Sequence, residues 1–509
     1  MPIPMPAVQS TTLSSPNRLI EIVESLSQGR VVLIGDLMID RYLYGNAERL
    51  SPEAPVPVLH YQNEEMRLGG AAGVAADLAV LECKVHAIGV VGADEQGGRL
   101  RKLLADVGVD PAHVIEDPSR PTTCKMRLVG SAQHRHPQQL LRLDFEHAFP
   151  VSHAIAEELL RRAILALEGA NVLAIEDYNK GALPPFVLQK LIAAAKDRLI
   201  PVIVDPAALP DYSRYNGATA LKLNRVEAAK ATSLNLEQKE NVAHAASRLL
   251  SMLDLQAVIL TLDKQGAFLA TKDGQEQWIP TRPRQVFDVT GAGDMVLAVT
   301  AAARAVGATW AEAVALANIA GGLEVERFGA IPIKPAEILD ELLMEHHQAL
   351  GKQRTLEQLL PELARHRAVG RKIVFTNGCF DLIHLGHVKY FQFAKRQGDL
   401  LVVGVNTDAG IQKLKGPTRP IIGQTDRLGV LEELESIDYI VPFGEPTPIE
   451  LITAIIPDVL VKGADYAKEQ VVGWDFVEGH GGRVALAPLV DGRSTSTVIQ
   501  RILEAYQTK

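Results

Sequence analysis

"KIVFTNGCFDLIHLGHVKYFQFAKRQG", residues 372–398, opens with an apolar, β-branched run ending in Asn377-Gly378 and closes on a segment whose Val388, Phe391 and Ala394 share one helical face. The spacing predicts a buried strand, a Gly turn and a helix. His384 and His387 then stand at the strand-to-helix switch. In an open α/β sheet that crevice is where ligands bind, and a helix N-terminus there presents unpaired N–H groups to a phosphate. A histidine pair could instead hold a metal, but zinc needs further protein ligands and no Cys/His cluster supplies them. Two purely structural histidines are the other alternative.

The same strand-turn-helix text recurs on both sides. "RVVLIGD", "VHAIGVVG", "NVLAIED", "PVIVDP" and "AVILTL" precede it, and "LLVVGVN" and "DVLVKG" follow, with helical segments between them. Such alternation predicts parallel sheets covered by helices, an α/β fold. Residues 41–61 and 115–145 break the pattern with extended, Pro-punctuated text ("SPEAPVPVLHY", "RPTTCKMRLVG"), which predicts a small antiparallel β flap beside the main sheet. A flap over a pocket excludes water from it. Residues 333–367 are helical, charged and free of strand signals, and read as a connector. The resulting division is a disordered lead (1–27), a first domain (28–332), the helical connector (333–367) and a second domain (368–509). His346, His347, His134 and His136 lie in polar text and read as solvated.

At 509 residues the chain is long enough for two or three domains. A formal net charge of −9 argues against nucleic-acid or anionic-membrane partners, which need an excess of Lys and Arg, so any phosphate site must be locally positive. Three dispersed cysteines, Cys83, Cys124 and Cys379, form no disulfide framework and fit a reducing cytoplasm. The opening "MPIPMPAVQSTTLSSPN" lacks the basic start and apolar run of a signal peptide, and no stretch reaches the length of a membrane span.

A second Gly-rich turn is chemically informative. "FDVTGAGDMVLAV", residues 287–299, sets Gly291, Ala292 and Gly293 before an apolar helix, with Asp294 in its first turn. Backbone N–H groups there can approach a phosphate, and the helix dipole favours the anion. Taken alone, Asp294 could be only a dipole partner. Upstream, "GDLMIDRY" holds Asp36 and Asp40, "LGGAAGVAADLA" holds Gly69 and Gly70, "LKLNRVEA" holds Asn224 and Glu227, and "LTLDKQG" closes a later strand.

With these motifs, residues 28–332 resemble the ribokinase-like, or PfkB-type, carbohydrate kinases. The resemblance implies a three-layer sandwich with a β flap. It makes Asp294 the base that accepts the sugar hydroxyl proton and the amides of Gly291, Ala292 and Gly293 the anion hole for the γ-phosphoryl group. Asn224 and Glu227 match an N-x-x-E element that arranges Mg²⁺ and phosphate through water, with no direct protein ligand to the metal. Thr261, Gly266 and Asn318 fall on the ATP side, and Asp36, Asp40, Gly69 and Gly70 on the sugar side. "RLSPEAPVPV", "QQLLRLDFE" and "EDYNKGAL" narrow the resemblance to the kinase half of the bifunctional heptose 7-phosphate kinase and heptose 1-phosphate adenylyltransferases, adding Arg142, Asp177 and Lys180 near the sugar or its phosphates.

The H-x-G-H stretch, after a strand and before a helix, resembles the nucleotidyltransferase superfamily that contains glycerol-3-phosphate cytidylyltransferase, a Rossmann-like fold. By that resemblance His384 and His387 contact the nucleotide's phosphates as a sugar phosphate attacks the α-phosphorus. Thr376, Asn377, Gly378, Phe380 and Asp381 form the nucleotide loop. Lys415, Arg427, Lys462, Gly463, Ser494 and Thr495 follow it as further nucleotide-binding positions, in "KLKGPTRP", "QTDRLGVL", "VKGADY" and "DGRSTSTVI". Ser494-Thr495 could equally be a plain N-cap.

Together the resemblances imply two reactions with ATP as substrate of both, Mg²⁺ as cofactor, sugar phosphates as the other substrates, and a homodimer through the kinase domain. Three departures stand out: Gly73 replaces an expected Asn, Met295 follows Asp294 where a small hydroxyl residue is common, and Glu176 stands where Ser is common. They bear on sugar specificity. A different sugar phosphate, CTP as donor, or a catalytically silent second half are the competing readings.

Overall fold

Apolar runs at strand spacing and amphipathic helices between them build two units, Met1–Leu342 and Leu343–Lys509. The computed structural model describes residues 16–131, 138–282, 291–327, 329–368 and 370–488. In the first unit, nine strands among the described residues form one sheet. From edge to edge they are Glu276–Ile279, Ala267–Thr271, Ala257–Thr261, Ala220–Asn224, Val202–Asp205, Val172–Glu176, Arg30–Gly35, Lys84–Gly92 and Val114–Asp117. The strands from Ala257–Thr261 to Val114–Asp117 run parallel, and the last hairpin is antiparallel.

Alternate residues of these strands serve opposite layers, as the period of two requires. Ile34, Ile175, Val204, Leu223 and Leu260 meet Leu159, Leu188, Leu191 and Leu249 of the helices His153–Ala166, Pro185–Asp197 and Lys239–Leu253. On the opposite face, Ile259 and Leu269 pack with Val314 and Ala315 of the helix Trp310–Glu324. The helix Ala292–Ala305 is buried from Met295 to Ala303. Met295 is fully buried there, so its bulk serves the core.

The flap is a separate four-stranded sheet, ordered Pro57–Gly70, Leu37–Leu50, Thr123–Ser131, Gln138–Phe145. Its hairpins are antiparallel, but Leu37–Leu50 pairs parallel with Thr123–Ser131. The purely antiparallel flap expected from the sequence is therefore corrected to a mixed sheet. The long excursion between those two strands, through the strand Lys84–Gly92 and the helix Glu95–Asp106, brings the chain back in the same direction.

The second unit carries a five-stranded parallel sheet in the order Tyr439–Phe443, Leu400–Asn406, Ile373–Gly378, Val459–Gly463, Arg483–Ala487. Strand order reverses at Ile373–Gly378, so the crevice at a topological switch point opens beyond Gly378. The span 333–367 is shared by the units. The division falls inside the helix Pro335–Leu350, and the next helix, Leu356–Ala368, buries Leu359 and Leu363 in the second core. No helix among the described residues is long and apolar enough to cross a membrane.

Candidate active sites

Parallel strands end in register, and so the first unit's polar residues collect at one edge of its sheet. Gly35 pairs with Glu176 and Glu176 with Asp205, while Asn224 pairs with Thr261. Asp36, Glu176, Asp205, Asn224 and Thr261 thus mark neighbouring strand ends.

Asp294 enters this edge from the first turn of Ala292–Ala305. The turn before it needs Gly291, whose φ of +90° is left-handed and whose added Cβ would stand 2.6 Å from the Ala330 Cβ. Tyr178 Oη donates to Asp294 Oδ1 at 3.2 Å. A Cβ on Gly73 would stand 3.2 Å from the other oxygen, Oδ2, so that oxygen faces a residue without a side chain.

The missing cation is Lys222, which was not among the sequence candidates. It is 4% exposed, ion-paired with Asp205, and its Nζ lies 3.0 Å from where a Gly293 Cβ would be. The signal was present: a lone Lys in the apolar strand Ala220–Asn224, central in the sheet, must find a buried partner. Burial, and then the Asp205 and Glu176 carboxylates, bear on its ammonium, and the net effect raises its pKa. Burial pushes Asp294 up to about 7, with Lys222 holding it down and Asp205 and Asp40 raising it further. Asp77 and Glu176 are pushed well above the carboxylate range, chiefly by burial. The edge is thus a cluster of buried carboxylates around the Lys222 ammonium.

The other sugar-side candidates divide. Asp36 is buried, and its carboxylate accepts from the Tyr178, Lys180 and Ala182 amides at 2.9, 3.0 and 3.4 Å, which shapes the loop bearing Tyr178. Burial and the neighbouring Asp177 raise its pKa to about 6. Asp177 has both oxygens committed, to the Asn179 amide at 2.8 Å and the Tyr215 hydroxyl at 2.7 Å. With 3% exposure and these two bonds it fixes its own loop. Asp40 is ion-paired with Arg127, and a Cβ on Gly69 would collide with its Oδ2 at 2.5 Å. Gly70, at φ +52°, opens the helix Ala71–Val80 against Met38. Lys180 reaches Glu146 at 2.6 Å. Arg142 sits directly across from Arg127 on the flap's edge strand, exposed and held by Asp144; nothing brings it to Asp294.

On the ATP side, Asn224 and Glu227 form a reciprocal cap. Asn224 Oδ1 accepts from the Glu227 amide at 2.9 Å, and Glu227 Oε2 from the Asn224 amide at 2.8 Å. Burial raises the Glu227 pKa. Gly266 packs against the Ile279 carbonyl and Asn318 donates to the Pro280 carbonyl at 3.0 Å, so both meet the same piece of chain.

In the second unit, His384 caps the helix Leu385–Lys395, its Nδ1 accepting from the Gly386 amide at 3.1 Å. His387 follows one turn on, the ring centroids 4.1 Å apart. His387 Nδ1 is buried without a hydrogen-bond partner among the described residues. Burial, helped by His384 and Lys415, lowers its pKa to about 4, so the free imidazole is neutral. Phe380, at φ +48°, lays its ring beside Gly378 and edge-on to His387. Lys462 donates to Asn377 O and Oδ1 at 3.1 and 2.8 Å, and burial lowers its pKa to about 8. Gly463 ends the same strand, and Lys415 ends the helix Asp408–Lys415, exposed.

Three transferase candidates face protein, not the crevice. Thr376 is fully buried and bonds Tyr390 Oη at 2.5 Å and the Val461 carbonyl at 3.0 Å. Arg427 is 1% exposed and donates to the carbonyls of Cys379, Asn406 and Ile422 and to Asp408. It clamps the loop at Cys379 to its neighbours. Asp381 accepts from the Ile421 and Ile422 amides and pairs with Arg419 at 2.9 Å. Ser494 and Thr495 lie outside the described residues, as do His134 and His136.

A carboxylate and a fixed cation beside a Gly-rich helix start can move a hydroxyl proton and stabilise a transferring phosphoryl group. A histidine pair at a helix start over a switch-point crevice can do the same for a nucleotide's α-phosphate. Comparison with known proteins agrees. Residues 28–337 match the pfkB family carbohydrate kinases and residues 375–487 the cytidylyltransferase-like family. Solved neighbours of the first unit include Escherichia coli phosphofructokinase-2 in complex with substrates and products (TM-score 0.53, 20% identity, covering 62% of this chain and 99% of that one). Arabidopsis thaliana ribokinase complexed with ribose and ATP gives a TM-score of 0.50 at 22% identity, covering 62% and 98%; at such identities the likeness is one of fold.

Fold and sites together define a carbohydrate kinase joined to a nucleotidyltransferase, a bifunctional enzyme that uses ATP. Bifunctional protein HldE of Geobacter metallireducens is 46% identical, over 93% of this chain and 96% of that protein. The HldE of Trichlorobacter lovleyi is 44% identical, over 96% and 99%. The chain belongs to the family of bifunctional HldE proteins.

Proposed function

We propose that the first unit phosphorylates D-glycero-β-D-manno-heptose 7-phosphate at O1 with ATP, and that the second transfers the adenylyl group of ATP to heptose 1-phosphate, giving ADP-heptose and pyrophosphate. A separate phosphatase removes the 7-phosphate between the steps. The observation that carries the kinase reading is Asp294 standing beside the Gly291–Gly293 turn with Lys222 against Gly293.

In the first reaction Asp294 takes the proton of the O1 hydroxyl as that oxygen bonds the γ-phosphorus. The bond to the bridging oxygen breaks and ADP leaves. The amides of the Gly291–Gly293 turn and the Lys222 ammonium meet charge that builds on the transferring group, where donors act most strongly. In the second, a phosphate oxygen of heptose 1-phosphate attacks the α-phosphorus and pyrophosphate leaves. His384, His387 and Lys415 supply donors on one side of the crevice, and Lys462 holds the loop at Asn377.

When bound, Mg²⁺ neutralises charge on the β- and γ-phosphates. Among the described residues no group of three or more His, Cys, Asp and Glu could cage a metal. Glu227, in the first turn of the helix Arg225–Thr232, would hold the ion through water. We place the enzyme in the cytoplasm, in keeping with three free cysteines, and as a homodimer through the kinase unit, whose flap edge leaves Leu140, Leu141, Leu143 and Phe145 exposed.

The test supplies ATP with heptose 7-phosphate, then heptose 1-phosphate with ATP, CTP or GTP, and follows phosphorus NMR. Bisphosphate in the first reaction and ADP-heptose with ATP alone are expected. Turnover with CTP, which the cytidylyltransferase-like match keeps open, would change the donor, and bisphosphate without any nucleotide sugar would make the second unit a silent module.

A further inference from the structure

Resting on Asp294 as the kinase base, we infer that Tyr178 is a positioning residue for phosphoryl transfer: its hydroxyl holds Oδ1 of Asp294 so that Oδ2, facing the bare Gly73, is presented to the acceptor hydroxyl. Three observations converge on it. Tyr178 Oη donates a hydrogen bond to Asp294 Oδ1 at 3.2 Å. The tyrosine is itself fixed, its amide donating to the buried Asp36 at 2.9 Å and its ring lying under Lys125 Nζ of the flap at 4.6 Å. On the opposite side, a Cβ at Gly73 would come within 3.2 Å of Oδ2 and 3.4 Å of the Leu68 carbonyl, so any side chain there would crowd the oxygen that must receive the proton.

A carboxylate that can spin about its Cβ–Cγ bond presents either oxygen. One donor on Oδ1 and open space at Oδ2 decide which. The 3.2 Å contact is longer than the usual O–H···O bond, as catalytic hydrogen bonds commonly are before substrate arrives. The Asn expected at position 73 could have donated to Asp294 directly. With Gly there, Tyr178 is the hydrogen-bond donor to Asp294 among the described residues.

Charged and titratable neighbours reach Asp294 from every side: Lys222 and Asp205 from two strands, Glu176 from a third, Asp40 from the flap and Asp77 from the helix Ala71–Val80. The Tyr178 hydrogen bond is one of the influences that hold the Asp294 pKa down. Removing the hydroxyl therefore moves the acid limb of the kinase pH profile to higher pH.

The experiment compares parent, Tyr178→Phe and Asp294→Asn in the full chain, measuring kinase kcat and KM across pH, with adenylyl transfer by the same samples as a control. Expected for Tyr178→Phe is a kcat lowered roughly ten- to hundredfold, an unchanged sugar KM and an acid limb displaced upward. A parental kcat and acid limb would overturn the inference, as would a change confined to KM, which marks a substrate contact, or to melting temperature, which marks a purely structural role. Asp294→Asn separates the levels: if it keeps kinase activity, the base assignment itself falls; if it is dead while Tyr178→Phe is normal, only the positioning role falls. Should Tyr178→Phe fold poorly, Gly73→Ala leaves the tyrosine in place and puts a methyl against Oδ2; a reduced kcat supports the assignment of that oxygen, and a parental rate overturns it.

Discussion

Lys222→Met tests whether the buried cation belongs to the reaction. Lys222 is the positive member of a cluster that also contains Asp205, Glu176 and Asp294, and its Nζ abuts Gly293 of the anion-hole turn. Breaking a buried ion pair by removing one partner costs about 3–5 kcal/mol. Here the carboxyls can limit that cost by taking up protons, since burial already pushes them upward. The transition state has no such escape. Losing one fixed donor where charge develops costs about 2.7–4 kcal/mol, or about 10²–10³ in kcat. A second signature follows from the base: Lys222 is the largest influence opposing burial at Asp294, so without it Asp294 ionises at higher pH and the acid limb moves up. ADP release with heptose 7-phosphate, read across a neutral to alkaline series, measures both effects. Adenylyl transfer in the same preparation should stay at the parental level. A variant with the parental kinase rate and acid limb would refute the assignment.

Asp294→Asn should abolish only the kinase step and His387→Ala only nucleotide-sugar formation, followed by phosphorus NMR; loss of both activities from either change would contradict independent sites. Asp294→Asn should also raise the melting temperature of the first unit at pH values above about 7: a carboxyl raised from 3.8 to about 7 in the fold penalises folding once ionised, by up to about 4 kcal/mol, and the penalty vanishes below the unfolded value. For the same reason parental kinase kcat/KM should climb as pH rises through neutrality, whereas His387, lowered to about 4, adds no limb to adenylyl transfer above about pH 5. Arg427→Met strips a donor from one buried and two half-buried carbonyls, the buried one at about 1–3 kcal/mol; it should lower the melting temperature of the second unit and raise its nucleotide KM, with kinase activity unchanged.

Strands such as "VVLIG" and "LLVVGVN" are legible because a parallel strand covered on both faces must be apolar throughout, and the turns at Gly291 and Gly378 are legible because chain direction changes there. Pairing across distance is not: nothing in Leu37–Leu50 says that its neighbour, Thr123–Ser131, will run parallel to it, since that depends on the path of the intervening chain. Nor does a motif tell which way its polar side chains face. Thr376, Asp177 and Arg427 all sit within one or two residues of crevice-forming backbone or clamp it, yet each spends its hydrogen bonds on protein. Lys222 shows the converse. It reads as part of a strand, although a lone ammonium in apolar text is costly to bury unless something repays it, and here the repayment is Asp205. The distinction between Arg427 and Lys222 is what their donors reach: carbonyls and a carboxylate take four of the guanidinium's five N–H donors, whereas the ammonium spends one of its three on Asp205 among the described residues and stands beside a glycine. Counting the donors a buried cation has left over therefore singles out Lys222, a position in no motif, beside the motif-borne Asp294.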